Sequence, residues 1–234
     1  MNELKHIAII PDGNRRWAHE HNLPTSAGHK KGADALKDVL EKSYELEIPY
    51  LSFWGASLSN LTQRSKREVG FLEKLYAANF KTLAEDKSIH ERRVRIRVLG
   101  DWESSLGSAA RKSIQSAVKA TQAYDRFALT FLIAYDGTLE MVSAIEKIIK
   151  QTRVNPKLKV TPELVKDSLL TRELPPVDLL IRTGGEPHLS AGFMMWDITE
   201  SQLYFSSKYW PDFTGEDLSL AVADFHERRR KFGK

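Results

Sequence analysis

The chain has 234 residues, 41% of them hydrophobic and 28% charged, with 35 Lys and Arg against 31 Asp and Glu. A net charge of +4 suits an anionic substrate but is too mild to argue for nucleic acid without a concentrated basic patch, so no nucleic-acid partner is expected. With zero cysteines, no signal-peptide core and no run long enough to cross a membrane, disulfide frameworks, thiolate metal sites and membrane spans are excluded, and a soluble, cytoplasmic protein is expected.

No repeat, low-complexity tract or linker divides the chain, which reads as one domain over residues 1–234. In order, β-rich runs fall at His6–Ile10, Pro49–Gly55, Val94–Gly100, Phe127–Tyr135 and Val177–Arg182. Between them lie helical patterns. Leu36, Leu40 and Tyr44 share one helix face, as do Val69, Leu72, Tyr76, Phe80 and Leu83, and a further helix covers Met141 to Ile149. Thr161-Pro162-Glu163 reads as an N-cap with proline at the first helical position, and Thr214 with Asp217 as a capping-box variant. Strand–helix alternation implies an α/β fold with a mostly parallel central sheet flanked by helices. Ligands of such sheets bind beyond the carboxyl ends of the strands. Asp12, Ser57 to Asn60, Asp136 and Arg182 to Glu186 all follow strands in this way.

The first of these loops is the most informative. HIAIIPDGNRRWA runs an apolar strand into an acid, a glycine, an amide, two arginines and a tryptophan. A solvated turn needs the Asp-Gly but not the paired arginines behind it. The usual nucleotide loops GxxxxGK[ST] and GxGxxG are absent, as are the HExxH zinc pattern and the GxSxG nucleophile elbow. What remains is a set of loops rich in Arg, Gly, Asn and His. Such loops suit a polyanion whose charge is shared between guanidinium groups and a hard cation.

IAIIPDGNRRWA resembles the opening signature of the cis-prenyltransferases, the undecaprenyl diphosphate synthase family. SAGHKKG at 26–32, FWGASLSN at 53–60, RVRIRVLGD at 93–101, VDLLIRTGGEPHLSAGFMMW at 177–196, QLYFSSKYWPDF at 202–213 and the closing RRRKFG agree with it in order. The resemblance implies a Mg²⁺-dependent enzyme that condenses isopentenyl diphosphate with an allylic diphosphate, geranyl or farnesyl, into a Z-polyprenyl diphosphate. It also implies a homodimer with a hydrophobic tunnel, and peripheral membrane contact for a long product. A non-catalytic partner subunit of the same fold is the alternative reading. Retention of Asp12, Asn60, Arg182 and the tail argues against it.

By the same resemblance, Asp12 holds Mg²⁺ against the allylic diphosphate, which Gly13, Asn14, Arg15, Arg16 and Trp17 wrap. His29 contacts that diphosphate from a helix start, where backbone dipoles favour anions. Ser57 and Asn60 belong to the condensing site, Asn60 positioning the proton-loss step; an amide is no base, so water or a diphosphate oxygen accepts the proton. Arg64 matches a loop arginine with its register shifted by an apparent one-residue insertion. Arg182, Gly184, Gly185, Glu186, His188 and Ser190 fall in the isopentenyl diphosphate segment. Of the apolar residues Phe53, Trp54, Phe71 and Leu72, most belong to the core and some line the tunnel.

The chain departs from the family pattern at Thr25 and His188, where arginines are usual, and at Ser59 and Leu61, where a Glu and a Trp are usual. At Gln202 the family commonly places a metal-binding glutamate, which leaves Asp12 nearly alone as a carboxylate ligand. Strand alternation would put Glu200 on the same face as Gln202, where it could replace the lost charge.

Overall fold

The structure is a computed structural model that describes residues 4–228. Its elements in chain order are β1 (His6–Ile10), α1 (Asn14–Glu20), α2 (Thr25–Glu45), β2 (Tyr50–Ala56), α3 (Leu58–Gln63), α4 (Lys66–Glu85), α5 (Lys87–Glu91) and β3 (Val94–Leu99). There follow α6 (Trp102–Ser105), α7 (Ser108–Thr121), β4 (Phe127–Ile133), α8 (Gly137–Val154), α9 (Pro162–Ser168), β5 (Leu179–Arg182), β6 (Gln202–Phe205) and α10 (Gly215–Glu227). The strands form one sheet in the order β3-β4-β2-β1-β5-β6, and every pairing is parallel.

A parallel strand covered on both faces needs apolar side chains in every position rather than in alternate ones. β1 is buried at all five residues, and β5 at all four. That is why their runs are legible in the sequence. β6 is an edge strand with alternating half-buried and exposed residues, and its run QLYF carries no such continuous apolar signal. It was not among the expected strands.

The expected caps form. Thr161 Oγ1 accepts from Leu164 N, with Pro162 at the first helical position, and Thr214 and Asp217 make a reciprocal capping box. Asp136 also proves to be a cap, its Oδ1 accepting from Thr138 N and Leu139 N at the start of α8. It does not line the central cavity, so its expected convergence on the site is corrected. No helix of the described residues is long and apolar enough to cross a membrane.

The first residue of β1 is a titratable group inside the sheet core. His6 is wholly buried, with Nδ1 on Pro175 O at 2.8 Å and Nε2 on Ser52 Oγ at 2.8 Å. Burial drives its imidazole down to about 4, well below the usual histidine value, with the Pro175 bond and Asp178 acting in the opposite sense. The unfolded chain therefore binds a proton that the native state refuses, and stability falls as pH drops from the ordinary histidine range towards 4. The loss is on the order of 3 kcal/mol at most. Urea melts between pH 7 and pH 4 should show that decline, and His6→Gln, though less stable at pH 7, should decline less steeply.

Candidate active site

β1 and β5 end level with one another, β2 runs on to Ala56 beside them, and the loops that follow all three supply the site. Ile10 pairs with Arg182, so Asp12, two residues past β1, meets the end of β5. Arg182 is 4% exposed. Its Nη2 donates to Asp12 Oδ2 at 2.8 Å, and its Nη1 to Ser190 Oγ at 2.8 Å and His188 O at 2.6 Å. A planar guanidinium suits this three-way anchorage because its donors are held in one fork. Arg16 extends the cluster: Nη2 lies 3.3 Å from Asp12 Oδ1, Nη1 donates to Glu186 Oε1 at 3.0 Å, and the group rests over the Tyr209 ring.

The 183–185 turn must pass very close to this pair. Gly184 has φ +89°, and a Cβ there would sit 2.6 Å from Arg16 Nη2 and 3.2 Å from Asp12. Only glycine satisfies both the conformation and the space. A second close approach sets α1 on α2, where a Cβ on Gly28 would fall 2.0 Å from Asn14 O.

A second group of charges lies where α1, α2 and α3 meet the start of α4. Glu68 Oε1 is 3.3 Å from His29 Nε2, 3.2 Å from Arg64 Nη1 and 4.0 Å from Arg15 Nε. Burial pulls the His29 imidazole below its ordinary value, while Glu68 pulls it back up. His29 stands in the second turn of α2 rather than at its start, so the expected dipole contribution is corrected: its anion affinity must come from the ring itself.

Ser57 caps α3. Its Oγ accepts from Asn60 N at 3.0 Å and bonds Ser59 Oγ at 2.8 Å, while Asn60 Oδ1 accepts from Ser57 N at 3.4 Å. Asn60 thus spends its carbonyl on the cap and keeps its amide donors for a ligand. Arg64, the residue blurred by the insertion, is the C-cap of α3. Trp17 departs from the expected role. Its Nε1 donates to Asp212 Oδ1 at 2.8 Å and its ring stacks on His21, so it fixes α1 to the segment before α10 instead of facing a ligand.

A cavity of about 630 Å³ leads from Asp12, Asn14, His29, Asn60 and Arg182 inward between α2 and α4. Phe53, Trp54, Leu72 and Phe80 line it, Phe71 does not, and its far end reaches Glu41 and Ser88. One end is polar and cationic, and the body is apolar. This is the expected tunnel.

Gln202 does not join Asp12 within the chain. It pairs with Leu179 at the start of β5, whereas Asp12 lies beyond Arg182 at the other end. Three strand residues, about 10 Å, separate those two levels. Its Nε2 donates to Phe225 O at 3.3 Å, and Oε1 is buried without a hydrogen-bond partner among the described residues. Glu200 lies in the turn before β6, so strand alternation does not place it beside Gln202. Among the described residues no cluster of three His, Cys, Asp or Glu side chains could hold a metal by itself. The donor set fits Mg²⁺ only as a single carboxylate, Asp12, completed by phosphate oxygens and water, a habit of that ion.

Glu68 and Glu186 carry charge pairs that sequence reading either missed or assigned differently. Ser65-x-x-Glu68 has the form of a capping box, which was the available signal, but it points to a helix start and not to a cation cluster.

Residues 10–233 match the family model described as "Putative undecaprenyl diphosphate synthase". The chain is 42% identical to an isoprenyl transferase of Rickettsia typhi over 234 residues, covering 100% of both chains. It is 37% identical over 233 residues to a tritrans,polycis-undecaprenyl-diphosphate synthase (geranylgeranyl-diphosphate specific) of Pyrococcus horikoshii, covering 98% of this chain and 87% of that one. Among solved structures, lavandulyl diphosphate synthase from Lavandula x intermedia, in complex with dimethylallyl diphosphate, superposes with a TM-score of 0.91 at 30% identity and covers 98% of both chains. A probable undecaprenyl diphosphate synthase from Campylobacter jejuni superposes with a TM-score of 0.80 at 28% identity over 100% of both chains.

Proposed function

The chain belongs to the undecaprenyl diphosphate synthase family of prenyltransferases, and on that premise we propose that it condenses isopentenyl diphosphate with geranyl or farnesyl diphosphate, releasing diphosphate and extending a Z-polyprenyl diphosphate. The observation that carries this reading is the cavity itself: a polar mouth at Asp12, His29, Asn60, Arg64 and Arg182 opens onto a largely apolar body in a cavity of about 630 Å³.

In the reaction the allylic carbon–oxygen bond breaks and its electron pair leaves with diphosphate. The double bond of isopentenyl diphosphate supplies the electrons of the new carbon–carbon bond, and a proton is lost from its adjacent carbon to restore a double bond. Negative charge grows on the leaving group as that bond stretches, so fixed cations beside it lower the barrier. Arg15, Arg16 and His29 take the allylic diphosphate in this reading. Arg182 and Ser190, joined at 2.8 Å, take that of isopentenyl diphosphate. Asn60 orients the condensing unit through its amide donors, and a diphosphate oxygen or water accepts the proton. Mg²⁺, held by Asp12 and the phosphates, would add charge stabilisation at the departing oxygen.

The protein acts in this proposal as a cytoplasmic homodimer that contacts the membrane peripherally through its product. The exposed apolar stripe Leu139, Val142, Ile145 and Ile149 on α8, and the exposed Leu203 and Phe205 on the edge strand β6, support a partner chain. The C-terminal tail, which in this proposal reaches the partner's site as the resemblance of RRRKFG to the family tail implies, lies from residue 229 on outside the described residues.

Incubation of the pure protein with radiolabelled isopentenyl diphosphate, each starter and Mg²⁺ should yield labelled polyprenyl products with one starter preferred. Absence of any product with every starter, in protein that is folded and dimeric, would favour the accessory-subunit reading instead.

A further inference from the structure

Glu68 lies just behind the cavity mouth: His29 and Arg64 line the cavity, while Glu68 does not. Its Oε1 is the common partner of three basic side chains brought from three elements: it accepts from His29 Nε2 of α2 at 3.3 Å, and pairs with Arg64 at the end of α3 at 3.2 Å and with Arg15 of α1 at 4.0 Å. The Glu68 and His29 side chains are only 13% and 9% exposed and that of Arg64 20%, so these two contacts are shielded from solvent far more than a surface ion pair, whereas Arg15, 63% exposed, adds a looser outer contact. The carboxylate has also forgone a local alternative. Ser65 Oγ accepts from Glu68 N at 3.2 Å, but the reciprocal bond of a capping box, from Ser65 N to the Glu68 side chain, does not form. A residue that leaves half of its helix cap unmade to face two guanidinium groups and an imidazole is placed by them.

We propose that Glu68 is the positioning residue of the diphosphate pocket, aiming Arg15, His29 and Arg64 at the allylic diphosphate. The inference rests on the prenyltransferase reading of that pocket. The bond from His29 Nε2–H to Glu68 fixes which ring nitrogen is occupied and leaves Nδ1 for the ligand. A carboxylate behind the ring also favours the imidazolium, so that Nδ1 becomes a donor when a phosphate oxygen arrives. The other charges facing the ring are Arg64 and Arg15, both of which oppose that protonation. Without Glu68 the two guanidinium groups lose their shared counter-ion, and the His29 ring loses the acceptor that fixes its tautomer and its orientation.

The test uses the full-length protein, inorganic diphosphate as the probe in calorimetry, and steady-state kinetics with the allylic substrate. Glu68→Gln should weaken diphosphate binding about tenfold and raise the allylic KM by a similar factor, with kcat changed much less. His29→Gln should do the same, and the double variant should bind no more weakly than the worse single one, because the two act as one unit. The His29 ring, followed by NMR, should titrate at lower pH in Glu68→Gln than in wild type. If wild type itself fails to bind diphosphate, the reading of the pocket falls and this inference with it. If wild type binds but Glu68→Gln binds equally or more tightly, or the two substitutions multiply, Glu68 does not position the pocket. A fall in thermal stability with unchanged affinity overturns the proposal in the same way.

Discussion

Asp12→Ala and Asp12→Asn are expected to fold and to lose about 100- to 1,000-fold in turnover. The structure gives Asp12 two duties. It is the acidic side chain of the cavity mouth on which Mg²⁺ and a diphosphate can be assembled, and it is the counter-ion of Arg182 at 2.8 Å and of Arg16 at 3.3 Å. Loss of a metal anchor at a departing diphosphate removes several kcal/mol of transition-state stabilisation. The asparagine variant keeps the acceptor for Gly13 N, which bonds Asp12 Oδ1 at 2.6 Å, and so separates charge from local shape. The alanine variant leaves a nearly buried guanidinium without its carboxylate and should melt lower as well. Single-turnover assays with thermal melts on both variants test this. A residual rate above about a tenth of wild type, less than roughly 1.4 kcal/mol, is incompatible with Asp12 as the metal anchor.

Arg182→Lys is expected to raise the KM for isopentenyl diphosphate by about 10- to 100-fold while leaving the allylic KM nearly unchanged. Lysine retains the charge but not the fork that reaches Asp12, Ser190 and His188 together. The segment carrying Ser190 would lose its tie to the end of β5, and the second diphosphate would meet a misplaced donor. Arg182→Met should be worse, because Asp12, its side chain 35% exposed, and Ser190 lose their partner and part of the cost moves into stability, about 1–3 kcal/mol for lost charged hydrogen bonds. Steady-state kinetics in both substrates, run beside denaturant melts, distinguish the two variants. Equal changes in the two KM values for Arg182→Lys would remove Arg182 from the isopentenyl diphosphate half of the site.

Family membership, fold class and the strand ends that carry the site are properties of the sequence read locally. β1 and β5 announce themselves because a strand buried on both faces must be apolar throughout, and the residues that follow them are polar and punctuated by glycine. The DGNRR loop and the Arg182 to Ser190 segment lie 170 positions apart, yet each is legible by itself. Their juxtaposition is not. It follows from β1 and β5 pairing in the middle of the sheet, a choice made by the packing of all six strands and recorded in no short stretch.

The same physics explains the misplacements. Gln202 sits in a stretch that resembles a metal-binding segment, but the register of β6 against β5 puts it at the opposite end of the sheet from Asp12 in the same chain. Trp17 follows two arginines in sequence, and helix geometry turns it away from them towards Asp212. Asp136 follows a strand as a ligand residue would, yet its carboxylate is consumed in starting α8. Glu68 is the converse case: locally it belongs to a helix cap, and only the meeting of α1, α2 and α3 makes it the hub of three basic side chains. Residue type and local pattern are written along the chain, and so the sequence determines which loops are chemically armed. Distance between loops is set by long-range burial and register, so only the tertiary structure decides which charges those loops share.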